Sequence, residues 1–344
     1  MNEVHLRRPL SPARVLALSL GMGLLFVGVA GGSLLLGTAE ISVAQLLSLA
    51  GGDGDQGGHA SLILFEIRLP RILLAGLVGF ALALGGVVFQ ALLRNPLADP
   101  FILGVSGGSA VGAVFGILLG FGFGFGIPAM SFAGALLTLL LLLAVGSRSI
   151  GVESTTILLT GVIVNAFFTA IIMFFVSVSA DGKLHSMLFW LYGDLSQTSY
   201  SYLYVIGPVL LVSALVIYRF STRLNLLTAG EDTAARLGVD VTRTKLLLLV
   251  VVSMMIGTVV AFSGLIGFVG LVVPHLVRMA FGSDHRLLIP VAALGGASFL
   301  VVADTAARTL IAPSELPVGV ISAFVGAPFF LLLLRTKDSQ WSRS

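Results

Sequence analysis

Asp304 and Arg308 stand one helical turn apart in an apolar run, with Glu315 close behind. A carboxylate and a guanidinium spaced i,i+4 on a helix form an ion pair. A proton- or sodium-driven carrier would be expected to show several carboxylates within the membrane or a relay. The other polar residues of the apolar segments are Gln90, Asn165, Thr169 and His275. His275 follows Pro274 near a helix break, a place suited to a hydrogen-bonded structural histidine. His5, His59, His185 and His285 are scattered through termini and loops, and no H-E-x-x-H spacing occurs. Cysteine is absent, so thiolate metal sites, iron–sulfur clusters and disulfides are excluded together. There is no G-x-x-x-x-G-K-[ST] phosphate loop; Gly182–Lys183 lacks both the first glycine and the Ser/Thr. Met173, Met187, Met254 and Met255 read as packing residues. No nucleophile with a base and no metal cluster is spelled, so neither a catalytic residue nor a cofactor is expected on this chain. Energy for any work comes from another polypeptide or from an ion gradient, and one carboxylate beside an arginine is poor equipment for the second.

The elements that carry these residues are set by solvent. Apolar residues make up 57% of the 344, charged residues 10%, and the mean hydropathy is +1.08. Soluble domains carry about 25% charge, so the chain is a multi-span membrane protein. Its net charge of +3 comes from basic residues spread along the chain, without the cluster that nucleic acid would need. A span takes roughly 20 apolar residues. Ten candidates follow: 14–36, 71–93, 101–120, 127–146, 155–178, 201–219, 245–263, 267–281, 287–310 and 317–334. The segment 267–281, short and carrying Pro274, is expected to be broken or half-buried. Short helices outside the bilayer are expected at 41–49, 184–192 and 229–237. The first span is too long for a signal h-region and no A-x-A-like site follows it. Ten spans place both termini on one side. If that side is the cytoplasm, the inner loops hold 15 of the 19 Lys and Arg and the outer loops 4: Arg68, Arg71, Lys183 and Arg308. This agrees with the positive-inside rule.

The stretch RNPLADPFILGVSGGSAVGAVFG begins at Arg94 and places glycine at 104, 108, 112 and 116, with Gly120 extending the series. Pro96 stops the preceding helix, and Asp99 with Pro100 is expected to cap the next. Residues four apart share a helix face, so Gly104, Gly108, Gly112, Gly116 and Gly120 form a smooth stripe. In lipid, small residues let backbones approach and so drive association. The stripe is a packing groove for a neighbouring helix or a pathway wall leaving room for a bulky solute.

The segment IRLPRILLAGLVGFALALGGVVFQALLRNPLADPFILGVSGGSAVGAVFG closely resembles the FecCD-type permease family, the membrane subunits of bacterial ABC importers for iron–siderophore complexes, haem and cobalamin. The resemblance continues in RLGVDVTRTKLL, in SGLIGFVGLVVPHLVRMAFGSDHRLLIP and in VADTAARTLIAPSELPVGVISAFVGAPFFLLLL, covering roughly residues 65–335. It implies an all-α, ten-helix permease of type II ABC importer architecture, one transmembrane domain over 1–344. It further implies a homodimer or close pair with the pathway at its interface, two cytoplasmic ATPase subunits holding ATP and Mg²⁺, and a periplasmic or lipid-anchored binding protein. The location implied is the bacterial inner membrane.

Two sets of residues take roles from this likeness. The segment 228–240, TAGEDTAARLGVD, begins a short helix with Glu231 and Asp232, which suit its positive dipole end, after Gly230. Gly238 is a natural C-cap. The family places its ATPase-coupling helix here, with Ala234, Ala235 and Leu237 as apolar contacts and Arg236 as a polar one. At the opposite face, the family uses outer arginines to grip acidic residues of the binding protein, a docking role that falls to Arg68, Arg71 and Arg308. Lipid anchoring for Arg68 and Arg71, and the Asp304 pair for Arg308, are the alternative uses. The solute expected is a ferric siderophore or haem ahead of cobalamin; an ion-coupled secondary carrier is the rival of a different class.

Overall fold

The computed structural model describes residues 11–37, 58–146 and 154–341, and the described residues are helical, without strands. The expected short helix at 41–49 lies outside them. The helices are α1 (Pro12–Leu35), α2 (His59–Leu92), α3 (Val105–Leu118), α4 (Gly126–Gly146), α5 (Ser154–Val178), α6 (Asp181–Leu191) and α7 (Tyr200–Arg219). They continue as α8 (Ser221–Ala229), α9 (Glu231–Arg236), α10 (Val241–Ser263), α11 (Val269–Phe281), α12 (His285–Thr309) and α13 (Val318–Trp341). Seven, namely α1, α2, α4, α5, α7, α10 and α12, are long and apolar enough to cross a membrane, and α3, α11 and α13 are shorter apolar helices. Together they match the ten expected segments one for one. The two other short helices expected outside the bilayer are α6 and α9.

Local chemistry sets the ends. Ser11 accepts from the Arg14 amide at 3.3 Å and Pro12 opens α1. Asp240 does the same for α10, accepting from the Arg243 amide at 3.0 Å. Asp99 does not cap α3 itself: it accepts from the Phe101 amide at 2.8 Å and starts a 3-10 turn over Pro100–Leu103. The chain then re-enters helix through Gly104 at φ 79°, a left-handed conformation that favours glycine. The segment 267–281 is short but not broken: α11 runs 13 residues, Val269–Phe281, straight through Pro274.

Helix α2 is the axis of the fold. It packs on α12, α11, α10 and α7, and 83% of its most apolar window is buried, against none for peripheral α1. Such closeness needs small residues where backbones meet. A Cβ at Gly79 would run into the Gly296 carbonyl of α12, and one at Gly86 into the Gly270 carbonyl of α11.

The glycine stripe divides in the same terms. A Cβ at Gly108 would strike Thr138 Oγ1 and the Gly134 carbonyl of α4; one at Gly112 would strike the Met130 carbonyl. Gly116 lies 3.3 Å, by the same measure, from Met130 Cβ. These three pack α3 against α4. Gly104 and Gly120 lie outside α3, each at φ 79°, and Gly120 faces open space. The stripe is therefore a helix–helix seam of three residues bounded by two turns.

Gly112→Leu should disrupt this seam, with an overpacking cost of about 1–3 kcal/mol or more, read as loss of monodisperse protein and a lower melting temperature in detergent. Val111→Leu, next in sequence but on a half-buried face, should leave both unchanged.

Candidate functional site

Charged and polar groups gather at two opposite ends of the helix bundle. At one end, Asp304 of α12 is 1% exposed and holds two guanidinium groups. Arg71 Nε of α2 donates to Asp304 Oδ1 at 3.0 Å, and Arg308 Nε to Oδ2 at 3.1 Å. Arg71 also reaches Glu315 Oε2 at 2.8 Å. Arg308 donates to Ser33 Oγ of α1 at 2.9 Å, and Ser33 Oγ lies 2.6 Å from Thr305 Oγ1. Arg68, at the end of a π-helical stretch (Leu62–Arg68) that opens α2, donates to the Leu34 carbonyl at 2.6 Å. One cluster thus ties α1, α2, α12 and the loop after α12.

The structure places Arg68, Arg71 and Arg308, the residues expected to dock a binding protein, beneath the surface of the single chain. All three are buried, at 4%, 7% and 6% exposure, and bonded within the chain. Arg71 and Arg308 hold a buried carboxylate, and Arg68 a backbone carbonyl. The i,i+4 pair of Asp304 with Arg308 is the part legible in advance.

The opposite end carries interhelical latches that sequence reasoning missed. Arg278 NH2 of α11 donates to Gln90 Oε1 at 2.9 Å, and Gln90 Nε2 reaches the Gly270 and Leu271 carbonyls at 3.3 and 3.4 Å. Asn225 of α8 donates to Asp284 Oδ1 at 2.9 Å and accepts from the His285 amide at 2.9 Å. Asp284 caps α12, and the Arg286 guanidinium hydrogen-bonded to it pulls its carboxyl down to about 2. Each latch joins residues the span count puts on the same face, as does the Asp304 cluster. Partners 188 and 59 residues apart in sequence leave no local signal.

Helix α9 projects from this end on a fixed base. Glu231 Oε1 meets Lys245 Nζ of α10 at 2.6 Å, with the lysine side chain 5% exposed. At its other end Val239 N donates to the Ala234 carbonyl at 3.0 Å and Gly238 N to the Ala235 carbonyl at 3.0 Å. With Gly238 at φ 84°, this is a Schellman cap. Gly230, at φ 130°, turns the chain into the helix. Asp232, Ala235, Arg236, Leu237 and Gly238 are exposed, Leu237 at 63%. Ala234 departs from expectation: it is fully buried against its own chain and offers nothing to a partner.

Residues 24–336 match the FecCD transport family. The chain belongs to that family. The FecCD permease is 45% identical over 279 residues to the cobalamin import system permease protein BtuC of Halobacterium salinarum, covering 81% of this chain and 75% of the relative. It is 42% identical over 284 residues to the hemin transport system permease protein HmuU of Yersinia pestis, covering 81% and 85%. It superimposes with a TM-score of 0.83 and 33% identity, over 93% of this chain and 99% of the other, on a structure described as an inward-facing metal-chelate type ABC transporter. The permease is therefore an ABC importer membrane subunit, and members of this class are not themselves enzymes.

Removing one partner of a buried ion pair costs about 3–5 kcal/mol, because it strands the other charge. Asp304→Ala strands two. Its melting temperature in detergent should fall far more than that of Glu315→Ala, whose side chain is 40% exposed. Equal shifts would remove Asp304 as the keystone of that end.

Proposed function

We propose that this permease moves a bulky iron chelate, a ferric siderophore or haem, into the cell across the bacterial inner membrane by ATP-driven alternating access. Two copies form the translocation unit, two ATPase chains bind ATP and Mg²⁺ beneath it, and a periplasmic or lipid-anchored binding protein delivers the chelate. The 15-to-4 distribution of cations supports a cytoplasmic position for the Arg278 end and both termini.

The observation that carries this proposal is α9. A six-residue helix with an exposed Ala235–Arg236–Leu237 edge, anchored by a buried lysine and a Schellman cap, is a rigid knob at the cation-rich face. Rigidity matters because a knob that bends absorbs motion instead of passing it to α10. The ion-coupled alternative finds no support, since Asp304, the one carboxylate expected inside a span, already holds two arginines.

Relatives named for hemin and cobalamin, and a neighbour described by metal chelates, support a bulky metal complex as solute. Cobalamin is the second reading, favoured by the 45% identity to the Halobacterium salinarum permease.

The test is uptake in proteoliposomes holding the permease and its ATPase, with the binding protein outside. Substituting the phosphate-loop lysine of the ATPase should abolish uptake, and a proton uncoupler should not. Uptake that survives the lysine change but collapses with the uncoupler contradicts the proposal. Titrating the binding protein with a ferric siderophore, haem and cyanocobalamin identifies the solute; tightest binding of cyanocobalamin selects the second reading. Ala235→Glu should leave the complex assembled and hydrolysing ATP while cutting uptake at least tenfold, and normal uptake would move the coupling contact away from α9.

A further inference from the structure

A cavity of about 260 Å³ opens at the Arg71 end, between the start of α4, α6, the loop after α6, and the facing ends of α7 and α10. Its walls include Phe123, Phe189, Trp190, Tyr202 and Phe262, and the carboxylate on its lining is Asp194. The rings are held in place: Tyr202 lies 4.7 Å from Phe262 between centroids and donates its hydroxyl to the Phe123 carbonyl at 2.8 Å. His185, also on the lining, stacks on Phe189 at 4.4 Å. Asp194 is equally fixed. Its amide donates to the Ser263 carbonyl at 2.9 Å, and its two carboxylate oxygens accept from the Ser196 amide at 2.7 Å and the Ser196 hydroxyl at 2.9 Å. Each oxygen keeps a lone pair for a further donor.

Among the described residues, Lys and Arg are absent from the lining. Lys183, an exposed cation of this end, is turned onto the Leu118 carbonyl at 2.7 Å. Aromatic faces and a carboxylate are complementary to one class of small ligand, since ring quadrupoles attract cations and an acid supplies the counter-charge. We propose that this cavity is a binding site for a compact organic cation, of the size of a guanidinium or a quaternary ammonium. It does not depend on the nature of the transported chelate.

The chain has two tryptophans, and one of them, Trp190, is a wall of the cavity. A Trp341→Phe form therefore reports on the site by fluorescence. In this form, in detergent or nanodiscs, methylguanidinium or tetramethylammonium should change Trp190 emission saturably, with half-saturation at about 1 mM. The preferred cation of the two defines the planar or the quaternary class. Urea and tert-butanol, their neutral counterparts in shape, should give no saturable change. Asp194→Asn should raise half-saturation at least tenfold with the melting temperature kept, and Phe189→Leu, which removes a ring face, should weaken it independently. The proposal is overturned if neither cation saturates, if the neutral compounds act alike, or if both substitutions leave the response unchanged.

Discussion

Asp304 is a single buried carboxylate shared by two arginines, and the arrangement of α1, α2 and α12 turns on it. An unpaired charge in a low-dielectric interior is costly, and mutual attraction compensates only when geometry and further hydrogen bonds are both satisfied. Here each carboxylate oxygen receives one guanidinium, and the arginines bond onward to Glu315 and to Ser33. Lipid supplies no hydrophobic force to bring apolar helices together. Pairing at the helix ends must therefore act with backbone contact along their lengths, and Gly79 against Gly296 supplies that contact for α2 and α12.

The same economy explains what the ends of the molecule are for. Arg68, Arg71 and Arg308 at one end are bonded within the bundle. The accessible charge there includes carboxylates, with Glu66 and Glu315 exposed and Asp194 half-buried. At the other end the latches through Gln90, Arg278, Asn225 and Asp284 connect α8, the base next to the α9 knob, to the junction of α11 and α12 and so toward α2. A push on α9 would meet a frame of short hydrogen bonds instead of a loose loop, as the coupling role proposed for it requires.

Much of this was legible in the residues. The ten apolar segments emerge from hydropathy alone because backbone groups in lipid must be satisfied within helices. Gly238 as a cap and Asp304 with Arg308 as a pair are local, and both hold in the structure. What was not legible depends on contacts distant in sequence. Arg71 looks like a rim charge until α12 brings Asp304, 233 residues away, against it. Ala234 and Ala235 are identical neighbours, and only the packing of α9 on its own chain separates a buried contact from an exposed one. Gly104 and Gly120 fit a four-residue spacing yet belong to turns, because periodicity cannot see where a helix starts.

The central claim is that Asp304 holds the permease together and carries nothing across the membrane. Asp304→Asn keeps the shape of the side chain and removes its charge, so chelate taken up per ATP hydrolysed, in proteoliposomes without ion gradients, separates the two roles. Fewer folded complexes with an unchanged ratio in those that survive is the predicted result. Normal folding with that ratio abolished would contradict it, and would make Asp304 a transport residue.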